Sequence, residues 1–474
     1  MAQIIVLGGG VCGLASGIML ARDGHEVTLL ERDAAPVPDS IEEAWEEWDR
    51  SGVSQFRLAH FLHARASEVI ARELPDVRAA MIDADAAVVD NLARIPDEIT
   101  GPRRPEDDRL VALTARRSTV EQIFGSVADA EPRLDVRRGV AVEGLLSGPG
   151  AGVPHVSGVR LAGGEELRGD LVVDAMGRRS PLPKWLAELD CAPVAEEAED
   201  SGFIYYGRFF KAADGGSVPQ GIGPLLAPVG SFSVLTLPSD QSTWSVTLFV
   251  SAGDRPLKAL RNVDAWTALV RACPLHAHWL DGEPISEVVA MGGVLDRYRR
   301  FFTDGRPVAT GVAAVADAWA CTNPSLGRGI SLGLVHAARL RDVAREELDD
   351  PLEFADAWDH ITERELAPWY RATVATDRAR LAEIEALRNG MEPPGPADFQ
   401  SGLGASLFRV MAYDPDLLRA GLEITGCLAL PEEVFARPGV VDRVVELSEA
   451  HPPAPMPGPS RDEVLRLIAE PAGA

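Results

Sequence analysis

An α/β fold with an inserted antiparallel β-sheet and a C-terminal helical region is predicted for this chain of 474 residues by three observations. A short apolar run, Ile4-Ile5-Val6-Leu7, leads directly into a glycine-rich turn and then a helical repeat. Segments of alternating apolar and polar character fill the stretch from 185 to 295. Beyond residue 345 nearly every segment carries helical spacing.

The first thirty-odd residues read as a βαβ unit. The four-residue apolar run suits a central parallel strand buried on both faces. Gly8, Gly10 and Gly13 follow it with the spacing G-x-G-x-x-G. Gly8 allows the tight turn, Gly10 lets a pyrophosphate approach the backbone, and Gly13 lets the helix pack against the strand. Leu14, Ile18 and Leu20 give the helix its apolar positions, Gly24 ends it, and Val27 to Leu30 form the second strand. Glu31 closes that strand eighteen residues after Gly13, placed to accept hydrogen bonds from ribose hydroxyls. A Rossmann-like dinucleotide-binding unit is the expectation. Cys12, inside the turn, is expected to pack rather than react.

A long excursion over 32–75 begins acidic and then carries Gln55, Arg57, His60 and His63 ahead of a helix. Leu171-Val172-Val173 is the next apolar strand, ending in Asp174-Ala175 and followed by Gly177, Arg178, Arg179 and Ser180. From 185 to 295 the strand-like segments contain Tyr205, Tyr206, Phe209, Phe232, Trp244 and Phe249, candidates for an apolar pocket or plain core. Arg297, Arg299 and Arg300 read first as a solvated face, with guidance of an acidic substrate or a nicotinamide phosphate as the alternative. A late strand, Val308-Ala309-Thr310, precedes Ala316-Asp317 and the spacing Pro324-x-x-Gly327-x-Gly329 that opens a helix at Ile330. A carboxylate after a strand and a glycine-rich helix start suit a ligand with hydroxyls and an electron-rich ring.

Composition narrows the partners. A formal charge of -26 disfavours nucleic acid and anionic membrane surfaces. The five cysteines are scattered without a C-x-x-C pair, so neither a disulfide framework nor a zinc site is expected, and a reducing cytoplasm fits. The N-terminus lacks a basic region and moves straight into a strand, unlike a signal peptide. No apolar run approaches the length of a membrane span. The histidines are dispersed, and no metal site is expected.

Three motifs in order, G-x-G-x-x-G, D-A-x-G-R-x-S and D-A-x(5)-P-x-x-G-x-G, resemble the single-component FAD-dependent aromatic hydroxylases, the group A flavoprotein monooxygenases. The resemblance spans about residues 1–345. It implies an FAD-binding domain of the GR2 type over 1–184 and 296–345, a β-rich substrate domain over 185–295 and a helical region over 346–474. It implies that Gly8, Gly10, Gly13, Glu31 and Arg32 hold the ADP half. Arg117, with Arg116 second, would start a helix near the FAD. The Val142 backbone would face the adenine, and Asp317 would bind the ribityl chain or pyrophosphate. Pro324, Gly327, Gly329 and Ile330 would line the flavin ring, with Arg57 and His60 as candidate catalytic groups against it.

The family usually has Gly-Asp at the late motif, where this chain has Ala316-Asp317; an ordinary backbone angle at Ala316 is the expectation. The middle motif usually reads Asp-Gly, and here it is Asp174-Ala175, at a place associated with NAD(P)H use. The function implied is oxygen insertion into a small aromatic, polyketide- or terpenoid-like substrate through a flavin C4a-(hydro)peroxide. NADH or NADPH would supply electrons, and a homodimer or a separate flavin reductase would be the partner. The alternatives are a reductase of the geranylgeranyl-reductase type, a flavin halogenase and a non-catalytic flavin-binding protein. Against the halogenase, Trp45 and Trp48 are spaced W-x-x-W with no Ile-Pro after them, and no lysine precedes Lys184.

Overall fold

The computed structural model describes residues 1–53, 55–58, 60–150, 152–213 and 216–469. In chain order, the strands that build the site are β1 (Gln3–Leu7), β2 (Glu26–Glu31), β3 (Leu134–Arg138), β4 (Leu171–Asp174), β5 (Phe203–Lys211), β6 (Phe232–Pro238), β7 (Thr243–Ser251), β8 (Leu295–Arg300) and β9 (Val312–Ala314). The helices that frame it are α1 (Val11–Arg22), α2 (Arg117–Ala130), α3 (Gly329–Glu347) and α4 (Ala367–Arg388).

Strands β9, β4, β1, β2 and β3 form one parallel sheet in that order. With β1 in the middle, Ile4, Ile5, Val6 and Leu7 are all buried. The chain runs from β1 to β2 on one side and returns to β4 on the other. The carboxyl ends of β1 and β4 therefore lie together, Leu7 beside Asp174, at the crevice where open α/β sheets take ligands.

Glycines set how closely the turn and helix approach the sheet. Gly8 has φ 102°, and its N–H donates to the Leu30 carbonyl at 2.9 Å. A Cβ at Gly13 would fall 2.0 Å from the Gly8 carbonyl oxygen, so α1 reaches this depth only with glycine there. A Cβ at Gly333 of α3 would fall 2.3 Å from Cys12 Sγ. Cys12 is thus a packing residue between α1 and α3, and burial pushes its thiol pKa up to about 12.

An antiparallel sheet contains β5, β6 and β7, with Leu226–Val229 beside β6 and Glu283–Pro284 and Val289–Gly292 beside β5. Alternation along β5 sends neighbouring side chains to opposite faces. Tyr206 enters a core with Phe232, Trp244 and Trp266. Tyr205 faces the other way and packs with Phe203, Phe249 and Ile384. Ile384 belongs to α4, whose Tyr370 and Val374 join the core of the parallel sheet. Helix α4 thereby braces the two sheets. Later helices close their own small core around Leu407, Val410, Ile424 and Val444. The last described helix, Arg461–Ala469, packs back on the antiparallel sheet through Val464 and Ile468.

Candidate cofactor and substrate site

A cavity of about 580 Å³ runs from the carboxyl ends of β1 and β2 to the antiparallel sheet. Gly8, Gly10, Gly13, Glu31, Arg32, Arg117 and Val142 line one end. A Cβ at Gly10 would meet nothing within 4 Å, so this backbone faces open space at the N-terminus of α1. Glu31 accepts from the Gly9 N–H at 2.8 Å and from the Asp33 N–H at 2.9 Å, which fixes its carboxylate beside the glycine turn.

Arg50, which sequence reasoning missed, completes this end. It is buried among Glu31 at 3.1 Å, Asp33 at 3.3 Å and Glu121 at 2.8 Å, and it donates to the Gly9 carbonyl at 3.2 Å. Arg117, at the start of α2, pairs with the same Glu121 at 2.6 Å. Arg116 turns instead to the buried Asp240, at 2.6 Å. Nothing in one sequence marks Arg50 among the other charges of the excursion.

Asp317, Pro324, Gly327, Gly329 and Ile330 line the middle of the cavity. Asp317 is half-buried there, and desolvation raises its pKa while Arg117 and Arg178 oppose the rise. Gly327 adopts φ 65°, a left-handed turn just before α3 begins. The expectation of an ordinary backbone at Ala316 is corrected: its φ is 50°, in the left-handed region that favours glycine. Its N–H donates to Nδ1 of the buried His336 at 3.1 Å.

The middle motif touches the late one through an arginine. Asp174 accepts from the Met176 N–H at 3.0 Å and from the Ser180 hydroxyl, and desolvation raises its pKa to about 6. Arg299 is buried, donating to the carbonyls of Ala318 at 3.0 Å and Ser180 at 3.3 Å. Its reading as part of a solvated face is therefore corrected, because those buried carbonyls and Glu196 claim its guanidinium. Arg297 donates to the Arg178 carbonyl at 2.5 Å, and Arg300 is exposed beside Asp359.

At the far end, Leu58, His60, Tyr205, Leu235, Thr247, Met291 and Val294 line the cavity. Of the aromatic residues picked from the strands, Tyr205 faces it, while Tyr206, Phe232 and Trp244 are core. His60 Nδ1–H donates to the Leu58 carbonyl at 2.9 Å, which leaves Nε2 as an acceptor. Burial, reinforced by Arg117, lowers the His60 pKa to about 3, so its ring is neutral near pH 7. Arg57 is corrected as a group facing a ring: it donates to the carbonyls of Trp45 and Trp48, lies 4.9 Å from the Trp45 ring centroid, and is outside the cavity lining. His63, read as the plain start of a helix, also reaches the late loop, where Nε2–H donates to the Leu326 carbonyl at 2.8 Å.

No protein-family model matches the chain. Over 356 residues it is 25% identical to protein Rv3254 of Mycobacterium tuberculosis, a match covering 71% of this chain and 72% of that one. The structure of p-nitrophenol 4-monooxygenase PnpA from Pseudomonas putida DLL-E4 superposes with TM-score 0.60 at 15% identity, over 90% of this chain and 99% of that one. The flavin-dependent brominase Bmp2 superposes with TM-score 0.59 at 16% identity, over 95% and 99%. With these likenesses and the cavity geometry in hand, the chain has the fold shared by FAD-dependent monooxygenases and their halogenating relatives.

Proposed function

We propose that this chain is an FAD-dependent monooxygenase that inserts one oxygen atom into a small, uncharged, largely apolar organic substrate of aromatic, polyketide- or terpenoid-like character. The observation that carries the reading is the continuity of the cavity, from a glycine turn at a helix N-terminus, past a carboxylate and a second glycine-rich helix start, to an apolar end beside the antiparallel sheet. Bound FAD, reduced by NADH or NADPH or by a partner reductase, supplies the oxygen-activating chemistry.

The residues present suit that cofactor, and a GR2-type arrangement would use them as follows. The open space at Gly10 and the N-terminus of α1 suit the pyrophosphate. Glu31, held by the Gly9 N–H and Arg50, would accept from the adenosine ribose, and Arg32 and the Val142 backbone, which line the same cavity, would flank the adenosine. Asp317 would accept from the ribityl hydroxyls. The loop from Pro324 to Ile330 would line the ring, and the N-terminus of α3 would favour negative charge there. Leu58, Leu235, Met291 and Val294 exclude water at the reacting end, and neutral His60 offers Nε2 as an acceptor.

Leu58, Leu235, Met291 and Val294 give that end an apolar wall, which supports a largely apolar substrate. The fold alone does not choose between oxygenation and halogenation. The missing W-x-W-x-I-P signature favours oxygenation, and no observation favours the reductase or non-catalytic readings over it.

The test is the absorbance spectrum of the purified protein with FAD, followed by NADH and NADPH oxidation across a panel of aromatic and polyketide-like compounds. A flavin spectrum, substrate-coupled oxygen uptake and a product heavier by one oxygen are expected. A product changed by two hydrogens, or protein that takes up no FAD, would sink the reading.

A further inference from the structure

Helix α4 brings a buried carboxylate against the late loop, and the reading above does not use it. Asp377 is 4% exposed. One carboxylate oxygen accepts from the Ser325 hydroxyl and the other from Asn323 Nδ2 at 3.2 Å. Asn323 accepts from the Tyr205 hydroxyl at 2.7 Å through Oδ1 and gives its backbone N–H to Asp296 at 2.6 Å. Ser325 and Tyr205 line the cavity, whereas Asp377, Asn323 and Asp296 lie behind them.

The charges around Asp377 do not neutralise it. Asp296 faces it from β8, Arg328 from the start of α3, and Tyr205 from β5. Arg328 donates to Thr373 at 3.0 Å and lies 5.1 Å from the Trp369 ring centroid. Among the described residues Asp377 makes no ion pair. Desolvation, with Asp296 adding to it, raises its pKa to about 7, against the hydrogen bonds of Ser325 and Asn323 and the charge of Arg328. Asp296 is itself raised to about 6 by burial, with the Asn323 N–H opposing, Glu199 and Asp200 adding to the rise and Arg378 working against it.

A buried carboxylate beside a second one is costly when its only role is to hold two neighbours; a neutral amide would do that with less desolvation. The hydroxyl it accepts from opens on the cavity. The lining offers few other proton acceptors at the apolar end, and Tyr205 has its proton committed to Asn323.

We propose that Ser325 and Asp377 are the proton-accepting pair of the cavity, serving an uncharged substrate that bears an acidic hydroxyl, a phenol or enol. The substrate O–H bond breaks and its proton passes to Ser325 Oγ, while the Ser325 hydroxyl proton passes to Asp377 Oδ1. Ser325 loses one proton and gains one, Asp377 ends neutral and the substrate ends as an oxyanion. No electrons change hands and the net charge of the cavity is unchanged. The transfer is balanced when the two acids are of similar strength, which a carboxyl raised to about 7 and an activated phenol satisfy. Asp377 acts through Ser325 and does not touch the substrate. The pair rests on the oxygen-insertion reading only for its purpose, since an oxyanion is the more electron-rich target for oxygen transfer.

The experiment uses FAD-loaded protein and 4-cyanophenol, whose neutral and ionised forms absorb at different wavelengths. The flavin spectrum reports separately on the cofactor site, so a missing flavin counts against the proposed function and a failed probe titration counts against this pair. Wild-type protein is expected to bind the probe and ionise it with a midpoint near pH 7. In both Asp377→Asn and Ser325→Ala the midpoint rises by about one pH unit or more, which is about tenfold less ionised probe at neutral pH. An infrared carboxyl band that titrates near pH 7 is lost in Asp377→Asn and kept in Ser325→Ala. A merely structural role would weaken probe binding at every pH without moving the midpoint. If Asp377→Asn does not fold, Ser325→Ala decides. Bands of Asp296 and Asp174, both raised to about 6, are expected to persist in every variant. Absence of probe binding, a midpoint unchanged in Ser325→Ala, or survival in Asp377→Asn of the band that titrates near pH 7 overturns the proposal.

Discussion

The backbone N–H of Ala316 donates to Nδ1 of His336 at 3.1 Å and holds an alanine at φ 50°, one residue before Asp317. A left-handed non-glycine residue costs about 1–2 kcal/mol, offset in part by the added freedom glycine brings to the unfolded chain. Ala316→Gly is therefore expected to raise stability by about 0.5–1 kcal/mol, read by denaturant titration of the FAD-loaded protein. A loss of stability would mean that the contact of the Ala316 Cβ with Gly333, where a Cβ would stand 3.1 Å away, outweighs the strain.

His336 makes that bond only while neutral, with Nε2–H donating to Thr362 at 3.2 Å and the ring stacked on Trp358 at 4.4 Å. Burial lowers its pKa from 6.5 to about 3. A depressed histidine stabilises the folded chain fully above its unfolded pKa, and that contribution is lost as pH falls from about 6.5 toward 3. In His336→Asn, a side-chain oxygen replaces Nδ1 as acceptor and does not titrate. Flavin release on acidification, followed by fluorescence, is expected at lower pH in the variant than in the wild type, provided the cavity left by the ring does not collapse. Equal acid midpoints would show that His60 and His63, lowered to about 3 and about 4 by burial, dominate instead.

Gly10 and Gly13 separate binding from folding. A Cβ at Gly10 enters open cavity, and a Cβ at Gly13 strikes the Gly8 carbonyl at 2.0 Å. Gly10→Val is expected to fold with stability near that of the wild type and to lose FAD affinity by about two orders of magnitude, about 3 kcal/mol. Gly13→Ala is expected to lose several kcal/mol of stability, because backbone must move. Isothermal titration with FAD beside thermal melts distinguishes the two, and similar behaviour of both variants would refute the assignment.

The parallel sheet and its glycine turn were legible because local rules govern them. Ile4 to Leu7 form the buried central strand, Gly8 and Gly13 are required by the tight turn and the close approach of α1, and Gly10 keeps the space beside the helix N-terminus open. What escaped depends on distant partners. Arg50 reaches Glu121 across 71 positions, and Asp377 meets Ser325 across 52. Such pairings leave no periodicity. Arg299 was misread for the same reason, since a cluster written R-x-R-R looks solvated until β8 turns one member toward the carbonyls of Ser180 and Ala318. Arg57 was drawn to the cavity by family position, yet the carbonyls of Trp45 and Trp48 hold it elsewhere.

Arg50 offers a test of the acidic cage at the nucleotide end. Its side chain is 6% exposed and that of Glu121 fully buried, with Arg117 as the other partner of Glu121. Removing one member of a buried charge cluster leaves the rest uncompensated and typically costs about 3–5 kcal/mol. Arg50→Leu is expected near the lower end of that range, because Arg117 still faces Glu121 at 2.6 Å while Glu31 and Asp33 retain backbone or solvent contact. In the double variant Arg50→Leu with Glu121→Gln, the loss should be smaller than the sum of the single losses by about 1–2 kcal/mol, the coupling of a direct ion pair. Lysine at position 50 should not rescue, because one ammonium cannot span Glu31, Asp33, Glu121 and the Gly9 carbonyl as the guanidinium does. Strict additivity of the two single losses, measured by denaturant unfolding, would show that Arg50 acts by filling space and not by charge.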